Sequence, residues 1–297
     1  MRSPLAVHVP PPPLSPAPLA PGLYITATPI GNLRDITLRA LDVLAQADLI
    51  LAEDTRVTGK LLAAYGLSKR IERYDEHAAE RMRPKILAAL AEGRRVALVS
   101  DAGTPLVSDP GYRLVGEAIA QGAAVHPIPG ASATLAALTV AGLPTDRFLF
   151  AGVPPPKSAA RQAFLQDLAG VRATLVFFEG GSRLAASLAD MAAVLGPRPA
   201  AVARELTKLY ETCIRGPLDV LAADPRFEAP KGEIVVVVGP GETAPASADD
   251  ADQALREALT RLGPADAASE VAKALGLNRR ELYRRALDLK GVHGRSE

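Results

Sequence analysis

The chain has 297 residues, with 34 Lys and Arg against 33 Asp and Glu, so its formal net charge is +1. This length predicts about two domains, and the balanced charge excludes an overall basic field, so any contact with nucleic acid must come from a local patch. A single cysteine excludes a disulfide framework and a cysteine-rich zinc site.

The first segment, residues 1–21, is rich in proline and lacks the apolar centre of a signal peptide. No apolar run in the chain approaches the roughly 18–20 residues that a membrane span needs. We therefore expect a cytoplasmic protein without a membrane partner, in which residues 1–21 form a disordered extension.

Residues 22–142 alternate short apolar runs with helical patterns, which predicts an N-terminal α/β domain with a mostly parallel sheet. Ligands of such sheets bind at the carboxyl ends of the strands. Four polar loops follow predicted strands and would form that site, at residues 28–32, 53–56, 101–111 and 129–133. The strands are predicted at residues 22–27, 48–52, 96–99 and 124–128, and the helices at 38–45, 60–65, 79–92, 112–121 and from 132 onward.

The loop at residues 101–111 follows a buried strand directly and holds two glycines, two prolines and two aspartates. Gly103 and Gly111 permit close backbone approach and positive φ, and Asp101 and Asp109 supply hydrogen-bond acceptors. This composition is typical of one wall of a small-molecule pocket. A capped turn between a strand and a helix would have the same composition.

Residues 143–242 are predicted to form a second α/β domain with a mixed sheet, because more strands lie close together. Its strands are predicted at residues 148–152, 173–179, 200–206, 210–215 and 233–238, and its helices at 157–168 and 183–195.

The remaining chain is predicted to be a linker at residues 243–251 and a helical segment at 252–297. Three short helices at 252–262, 265–275 and 279–289 have the spacing of a helix-turn-helix, with Gly276 in the turn. The third helix is basic, which is typical of a surface that binds nucleic-acid phosphates, although a solvated helix face is an equal alternative. Its cations are Arg279, Arg280, Arg284, Arg285 and Lys290.

Several nucleotide-site motifs are absent from the sequence. There is no G-x-x-x-x-G-K-[ST] loop, no G-x-G-x-x-G after the first strand and no G-x-S-x-G elbow. A phosphate-binding NTPase and a Rossmann-type dehydrogenase are therefore disfavoured.

Seven segments, in order along the chain, together resemble the tetrapyrrole-methylase-like superfamily of S-adenosylmethionine enzymes and, within it, the family that methylates small-subunit ribosomal RNA. They are Ala27-Thr-Pro-Ile-Gly-Asn-Leu33, Asp35-Ile-Thr-Leu-Arg-Ala40, Ala52-Glu-Asp-Thr-Arg56, Ser100-Asp-Ala-Gly-Thr-Pro105 with Ser108-Asp-Pro-Gly111, Ile128-Pro-Gly130, Gly142-Leu-Pro-Thr-Asp-Arg-Phe148 and Ala203-Arg-Glu-Leu-Thr-Lys208.

The resemblance implies two α/β domains with S-adenosylmethionine in the cleft between them, a homodimer and no metal. It also implies the reaction, methylation of the ribose 2′-hydroxyl of a cytidine in the decoding region of 16S rRNA, with the small ribosomal subunit as partner. Carried over by motif, the cofactor-binding residues are Pro29, Asp101, Ala102, Gly103, Thr104, Ser132, Ala133, Phe178, Ala203 and Gly232.

The sequence departs from the family at Glu179-Gly-Gly-Ser-Arg183. The family usually has Glu, a small residue, Pro, His or Asn, and Arg. Glu179 and Arg183 are kept, but Gly181 and Ser182 replace the Pro and the His or Asn.

Methylation of a ribose hydroxyl needs alignment of the reacting atoms and a general base within hydrogen-bond reach. The candidate bases are Glu53, Asp54 and Glu205, although Glu53 and Asp54 would equally well tie down their own loop. The candidates for holding phosphate or lowering a neighbouring pKa are Arg56, Arg204 and Lys208.

Two other functions compete with this prediction. A tetrapyrrole methylase of the precorrin or uroporphyrinogen type would have the same cofactor pocket, but it gives no reason for the basic C-terminal helix. A non-enzymatic helix-turn-helix protein that binds nucleic acid would leave the polar loops of residues 22–240 unexplained.

Overall fold

The computed structural model describes residues 14–15, 17–107, 111–241, 248–275 and 277–293. The chain divides into two compact units, residues 1–240 and 241–297. In the described ranges, no helix is both long and apolar enough to cross a membrane.

The described part of the first unit begins with a parallel sheet of five strands. The spatial order is β3-β2-β4-β1-β5. The edge strand β3 was not predicted, because it has only three residues and only the first is apolar. The strands are β1 (Gly22–Thr26), β2 (Leu49–Ala52), β3 (Ile71–Arg73), β4 (Arg95–Val99) and β5 (Val125–Ile128).

Side-chain caps determine where several helices of this region begin. Thr37, Asp54, Asp75 and Ser132 each accept a hydrogen bond from a backbone N–H in the first turn of the helix that follows. The second helix therefore begins at Thr55 and not at Lys60 as predicted. The helices are α1 (Leu38–Gln46), α2 (Thr55–Ala64), α3 (Glu76–Ala91), α4 (Tyr112–Ala120) and α5 (Ala133–Ala141).

Both faces of the first sheet are buried. Along β4, Val96 and Leu98 pack with apolar residues of α3 and α4, whereas Ala97 and Val99 pack with those of α1 and α2. This alternation follows from the two-residue period of a strand. The continuous apolar run that predicted a buried strand is thereby explained.

Residues before β1 differ from the predicted disordered extension where the structure describes them. Ser15 N donates to Asp42 Oδ1 at 2.7 Å and Leu19 N donates to Gln46 Oε1 at 3.0 Å. The described residues of 14–21 therefore lie against α1, while residues 1–13 fall outside the described ranges.

The second sheet has the order β6-β7-β10-β8-β9 among the described residues. Strands β6 and β7 are parallel and the other pairs are antiparallel, which confirms the predicted mixed sheet. Its strands are β6 (Phe148–Gly152), β7 (Thr174–Gly180), β8 (Pro199–Arg204), β9 (Thr212–Pro217) and β10 (Glu233–Val238). Its helices are α6 (Ser158–Leu168), α7 (Leu184–Leu195) and α8 (Leu218–Ala222).

The two faces of this sheet have different partners. Phe177, Val202 and Val236 pack with α6, α7 and α8, whereas Ala203 and Val235, on the opposite face, pack with residues of α5. Helix α5 belongs in sequence to the first α/β region, so its packing joins the two sheets. The carboxyl ends of the first sheet are thereby brought beside β7 and β10.

The connection from β8 to β9 also differs from the prediction. The strand predicted at residues 200–206 ends at Arg204, because Glu205 and Thr207 have positive φ values of 53° and 67°. The next strand begins at Thr212 and not at Tyr210. The intervening residues form a tight loop.

The described residues of the second unit form three helices, α9 (Ala248–Leu259), α10 (Pro264–Leu275) and α11 (Arg279–His293). Leu255, Val271 and Leu282 form their shared core. Helix α9 includes residues 248–251, which were assigned to the linker. Gly276 of the predicted turn lies outside the described residues.

Candidate functional site

A cavity of about 290 Å³ lies where the carboxyl ends of the first sheet meet β7 and β10. We refer to it as the first cavity. Loops after β1 and β4, the start of α5 and the facing ends of β7 and β10 form its walls. Its lining residues are Ile30, Ala102, Gly103, Thr104, Val107, Ser132, Ala133, Thr134, Val153, Phe178, Glu179, Gly180, Arg183, Glu233, Ile234 and Val235.

The loop after β4 is held in place by its own backbone. Thr28 N donates to Gly103 O at 2.9 Å, and Gly103 N donates to Thr28 O at 3.1 Å. Gly103 has φ 82°, and a Cβ atom there would lie 3.3 Å from Ile30 Cγ2. Since φ is positive and space is limited, glycine is needed for the loop to form this part of the wall.

The start of α5 forms the next part of the wall. Thr104 Oγ1 donates to Ala131 O at 3.1 Å, which ties the loop after β4 to the loop before α5. Ser132 caps the helix through Leu135 N. The Thr134 hydroxyl is buried in the cavity wall and has no hydrogen-bond partner among the described residues. Because an unpaired buried hydroxyl costs free energy, this position suits a polar group of a ligand.

The second sheet closes the cavity with apolar and charged residues. Phe178 packs edge-to-face against Phe150 with ring centroids 4.7 Å apart. The Glu179 carboxylate is buried and accepts hydrogen bonds from Gly180 N at 2.8 Å and from the Ser187 hydroxyl. It also pairs with Arg183 Nη2 at 2.8 Å. Glu179 and Arg183, the two charged residues that this sequence shares with the family pattern, therefore form an ion pair in the cavity wall.

The departure from the family pattern lies beside this pair. A Cβ atom at Gly181 would lie 1.7 Å from the carbonyl oxygen of Pro230, whereas one at Gly180 would meet nothing closer than 3.9 Å. Gly181 thus lets the chain before β10 lie directly against it. A proline at this position does not fit the observed path of residue 230.

A second cavity, of about 430 Å³, adjoins the first. Both are lined by Ile30, Ala102 and Glu233. The second cavity has charged groups in its walls, namely Lys60, Asp101, Lys208 and Glu233, together with Pro29 and small residues. The site therefore has two parts that share one wall, and lysines line only the second.

Lys208 connects the two acidic residues near this shared wall. Its Nζ lies 2.8 Å from Glu205 Oε1 and 3.1 Å from Glu233 Oε2. Hydrogen bonds from Lys208 and from Glu233 N lower the pKa of Glu205. Burial alone would lower the pKa of Lys208, but its hydrogen bonds to both glutamates outweigh burial and raise that pKa. Glu205 is therefore held as an anion and is a poor general base.

The carboxylate of Asp54 has a structural role in this geometry. It accepts a hydrogen bond from Arg56 N at 2.8 Å and pairs with the exposed Arg56 guanidinium, which lowers its pKa. Asp54 N in turn donates to Asp101 Oδ1 at 2.9 Å. The hypothesis that this residue ties down its own loop fits these contacts better than a role as base.

Glu53 lies apart from both cavities. It lines a separate cavity of about 520 Å³ together with Tyr74, Arg83 and Arg113. Burial raises the pKa of Glu53, and the neighbouring carboxylates of Asp101, Asp75 and Asp54 raise it further. A raised pKa would suit a general base, but Glu53 lies outside the two adjoining cavities.

Eight of the ten predicted cofactor-binding residues line the two cavities. Ala102, Gly103, Thr104, Ser132, Ala133 and Phe178 line the first, and Pro29, Asp101 and again Ala102 line the second.

Seven predicted residues line neither cavity, namely Glu53, Asp54, Arg56, Glu205, Ala203, Arg204 and Gly232. Ala203 is 1% exposed, because it faces the core between β8 and α5. Arg204 is the next residue of that strand and faces the other way, where Nη1 donates to Lys231 O at 3.1 Å. Gly232 has φ 103° and lies against Glu205, whose Cδ would be 2.5 Å from a Cβ at that position.

Sequence reasoning missed Lys60, Thr134 and Glu233, which all line the cavities. Thr134 could have been found, because it follows Ser132 and Ala133, which the resemblance placed at the cofactor. Glu233 is the neighbour of the predicted Gly232. For Lys60 there was no signal, because the side of α2 that faces the cleft depends on tertiary packing.

Comparison with known families agrees with this geometry. The profile of the Tetrapyrrole (Corrin/Porphyrin) Methylases matches residues 22–222, and that of the RsmI C-terminal HTH domain matches residues 245–290. The crystal structure of diphthine synthase has the same fold, with a TM-score of 0.57 and 18% sequence identity over 73% of this chain and 89% of that chain.

Two curated relatives are similar over almost their whole length. A protein of Mesorhizobium japonicum named ribosomal RNA small subunit methyltransferase I is 53% identical, over 94% of this chain and 96% of its own. A protein of the same name from Erythrobacter litoralis is 55% identical, over 92% of this chain and 97% of its own. The chain therefore belongs to the tetrapyrrole methylases and, among them, to the ribosomal RNA small subunit methyltransferase I family.

Proposed function

We propose that this protein transfers a methyl group from S-adenosylmethionine to the ribose 2′-hydroxyl of a cytidine in the decoding region of 16S rRNA. The observation that carries the proposal is the pair of adjoining cavities that share Ile30, Ala102 and Glu233. A bisubstrate reaction needs two such sites in contact. The names of the relatives supply the class of acceptor.

The first cavity suits the methyl donor. The Thr134 hydroxyl has no partner in the described chain and would meet a polar group of the donor. Gly103 gives the donor access to the backbone of its loop, and Phe178 and Val235 offer an apolar surface. When bound, the donor supplies an electrophilic methyl group on a sulfonium. The protein's task is then to align the acceptor oxygen with that methyl group.

The second cavity suits the acceptor nucleotide. Lys60 and Lys208 supply cations for the RNA phosphates, and Asp101 supplies a carboxylate for the ribose. We assign Asp101 as the group that accepts the hydroxyl proton. It lines the acceptor side of the shared wall, and its Oδ1 is fixed by Asp54 N. As the oxygen–carbon bond forms and the sulfur–carbon bond breaks, the proton passes to this carboxylate.

The second unit supplies a basic surface for the same substrate. Arg279, Arg280, Arg284 and Lys290 on α11 are exposed, whereas Arg285 donates to Asp252. We propose that the exposed cations bind RNA phosphates outside the reacting nucleotide. A precorrin or uroporphyrinogen methylase has no use for such a surface. The homodimer implied by the resemblance stays a prediction, and sedimentation velocity tests it.

The first experiment is methyl transfer from labelled S-adenosylmethionine to small ribosomal subunits from a strain that lacks this gene. We expect one 2′-O-methylated cytidine in the 16S rRNA, mapped by its resistance to alkaline cleavage. Measurable donor binding with no label in the RNA would contradict the proposed acceptor. Label on a base or on protein would contradict the proposed reaction.

Replacing Asp101 by Asn tests the proton acceptor. An amide oxygen still accepts the hydrogen bond from Asp54 N, but the residue no longer accepts a proton. We expect kcat to fall by about 100-fold or more, with donor affinity changed by less than about threefold. The control is Asp54→Asn, which keeps a good helix cap and removes only the ion pair with Arg56, and should cost less than about tenfold. Lost donor affinity with normal kcat at saturation would place Asp101 on the donor instead.

A further inference from the structure

The loop between β8 and β9 has a strained backbone at the edge of the second cavity. Glu205 and Thr207 have φ values of 53° and 67°, which are unfavourable for residues other than glycine. Backbone hydrogen bonds hold the loop, from Glu205 N to Glu233 O at 2.9 Å and from Lys208 N to Glu205 O at 3.0 Å. Backbone strain of this kind persists where the surrounding structure enforces it, often at ligand sites.

This conformation directs neighbouring side chains of the loop to different environments. Lys208 is half-buried in the wall of the second cavity and bonded to Glu205 and Glu233. The next two residues, Leu209 and Tyr210, are 87% and 69% exposed. They are the two most exposed large apolar side chains of the described residues, and they are adjacent in sequence. Exposure of such a pair beside a cavity indicates an interaction surface.

We propose that Leu209 and Tyr210 form a wedge that stacks against the RNA base next to the target nucleotide while the target ribose occupies the second cavity. The inference rests on the proposed function, because it requires an RNA acceptor. A nucleotide that is stacked in folded RNA cannot place its ribose in a cavity until it is displaced from its neighbours. An apolar side chain and an aromatic ring next to the cavity would replace the lost stacking.

Two observations favour an RNA base over a protein partner. The exposed apolar surface consists of two side chains, whereas a stable protein interface takes about 20–30 residues from each side. Lys60 also lines the second cavity and forms no ion pair among the described residues, so it offers a cation to the phosphates that flank a stacked base.

The test compares Tyr210→Ala, Leu209→Ala and Tyr210→Phe with the wild-type enzyme, using labelled S-adenosylmethionine and small ribosomal subunits as acceptor. Stacking on an aromatic side chain typically changes RNA affinity by about 5- to 150-fold. We expect kcat/KM for the subunit to fall within that range for Tyr210→Ala and by a smaller factor for Leu209→Ala. Tyr210→Phe keeps the ring and should stay within about twofold of the wild type.

The matched control is Tyr112→Ala, because Tyr112 is 68% exposed and lies on α4, away from both cavities. It should leave methylation unchanged. Donor affinity by calorimetry and the melting temperature should be unchanged in all four variants. A second RNA substrate carries 2-aminopurine beside the methylated nucleotide, and its fluorescence should change on binding the wild-type enzyme and Tyr210→Phe but not Tyr210→Ala.

Three results would overturn the wedge. Tyr210→Ala methylation within twofold of a wild-type enzyme that does methylate RNA would refute the wedge alone. Loss of methylation that accompanies a change in sedimentation coefficient would assign the pair to contact with a second copy of the chain. If the wild-type enzyme methylates no RNA, the proposed function fails and the wedge fails with it.

Discussion

The two sheets contribute to the site in different ways. The first sheet supplies a wall of backbone and small residues, in which Gly103 and the start of α5 set the shape. The second sheet supplies side chains whose charges are fixed in pairs, Glu179 with Arg183 and Glu205 with Lys208. A wall made of backbone is sensitive to added bulk, whereas a wall made of ion pairs is sensitive to charge and pH. Substitutions in the two sheets should therefore impair the protein in different ways, by steric overlap in the first and by loss of charge pairing in the second.

The largest effect is expected from a larger side chain in the wall that the first sheet supplies. In Gly103→Val, a β-branched residue must adopt φ 82° with its Cβ atom 3.3 Å from Ile30. We expect donor affinity by calorimetry to fall by about 100-fold or more, because the loop is displaced into the cavity. The control is Gly122→Val, which has the same kind of strain at φ 76° but nothing within 4 Å of a Cβ atom and lies outside both cavities. Gly122→Val should lose stability and keep donor affinity. Retained affinity in folded Gly103→Val would refute the first cavity as the donor site.

The wall formed by the second sheet also has one position, Gly181, at which a larger side chain should be destabilising. Gly181→Ala places a methyl group 1.7 Å from the Pro230 carbonyl oxygen, so the chain before β10 must shift. We expect urea denaturation to show a loss of about 1–3 kcal/mol, the usual range for overpacking. Gly180→Ala, whose Cβ atom would have no neighbour within 3.9 Å, should change stability by less than about 0.5 kcal/mol. Equal stabilities of the two variants would mean that Pro230 yields freely and that the departure from the family pattern is structurally neutral.

The wall supplied by the first sheet was largely predictable from sequence, whereas the wall supplied by the second sheet was not. Glycine, proline and aspartate directly after an apolar strand are local signals, so the loop at residues 101–111 was predicted without knowledge of the tertiary fold, and residues 101–107 of it are described. The second wall depends on β10 lying between β7 and β8, a pairing of residues far apart in sequence. Its details also depend on which face of a strand a residue occupies, which is why Arg204 was grouped with Lys208 although its guanidinium donates to Lys231 O.

The fold shows the same division. Alternating apolar runs and helical patterns were sufficient to predict the parallel and the mixed sheet, because apolar runs reflect burial on strand faces. The edge strand β3 was missed because its pairing with β2 is enforced by the sheet and not by its own composition. The turn at Glu205 and Thr207 was missed because neither residue type favours positive φ.

Charge in the second wall should give a pH-dependent effect of intermediate size. The pKa of Glu205 is lowered from its ordinary value of 4.5, so its stabilisation is complete above that pH and is lost as the pH falls through the lowered value. Lys208→Met keeps the apolar stem that lies against Gly31 and removes the cation. We expect a loss of about 1 kcal/mol at pH 7 by urea denaturation, with the difference from wild type shrinking below pH 4.5.

Lys208→Met should also affect RNA methylation and donor binding to different extents. We expect Lys208→Met to lower kcat/KM for the RNA by about tenfold, because one phosphate contact is lost, while donor affinity stays within about twofold. The control is Lys231→Met, an exposed lysine whose side chain lines neither cavity among the described residues. A stability difference that does not vary between pH 7 and pH 3 would contradict the ion pair.

The smallest effect is expected from removal of a single hydroxyl group, that of Thr134, from the lining of the first cavity. Thr134→Val removes a buried group that has no partner in the described chain and keeps the shape of the side chain. The unliganded protein should therefore be as stable as the wild type or slightly more stable, since no buried hydrogen bond is broken. Donor affinity should fall by about 5- to 10-fold, because one hydrogen bond to the ligand is lost. Ser132→Ala offers a contrast in stability, since it removes a helix cap and should lower the stability of the free protein by about 1 kcal/mol. If Thr134→Val instead destabilises the free protein and binds the donor normally, the hydroxyl has an internal partner, and the fit of the first cavity to the donor depends on its backbone alone.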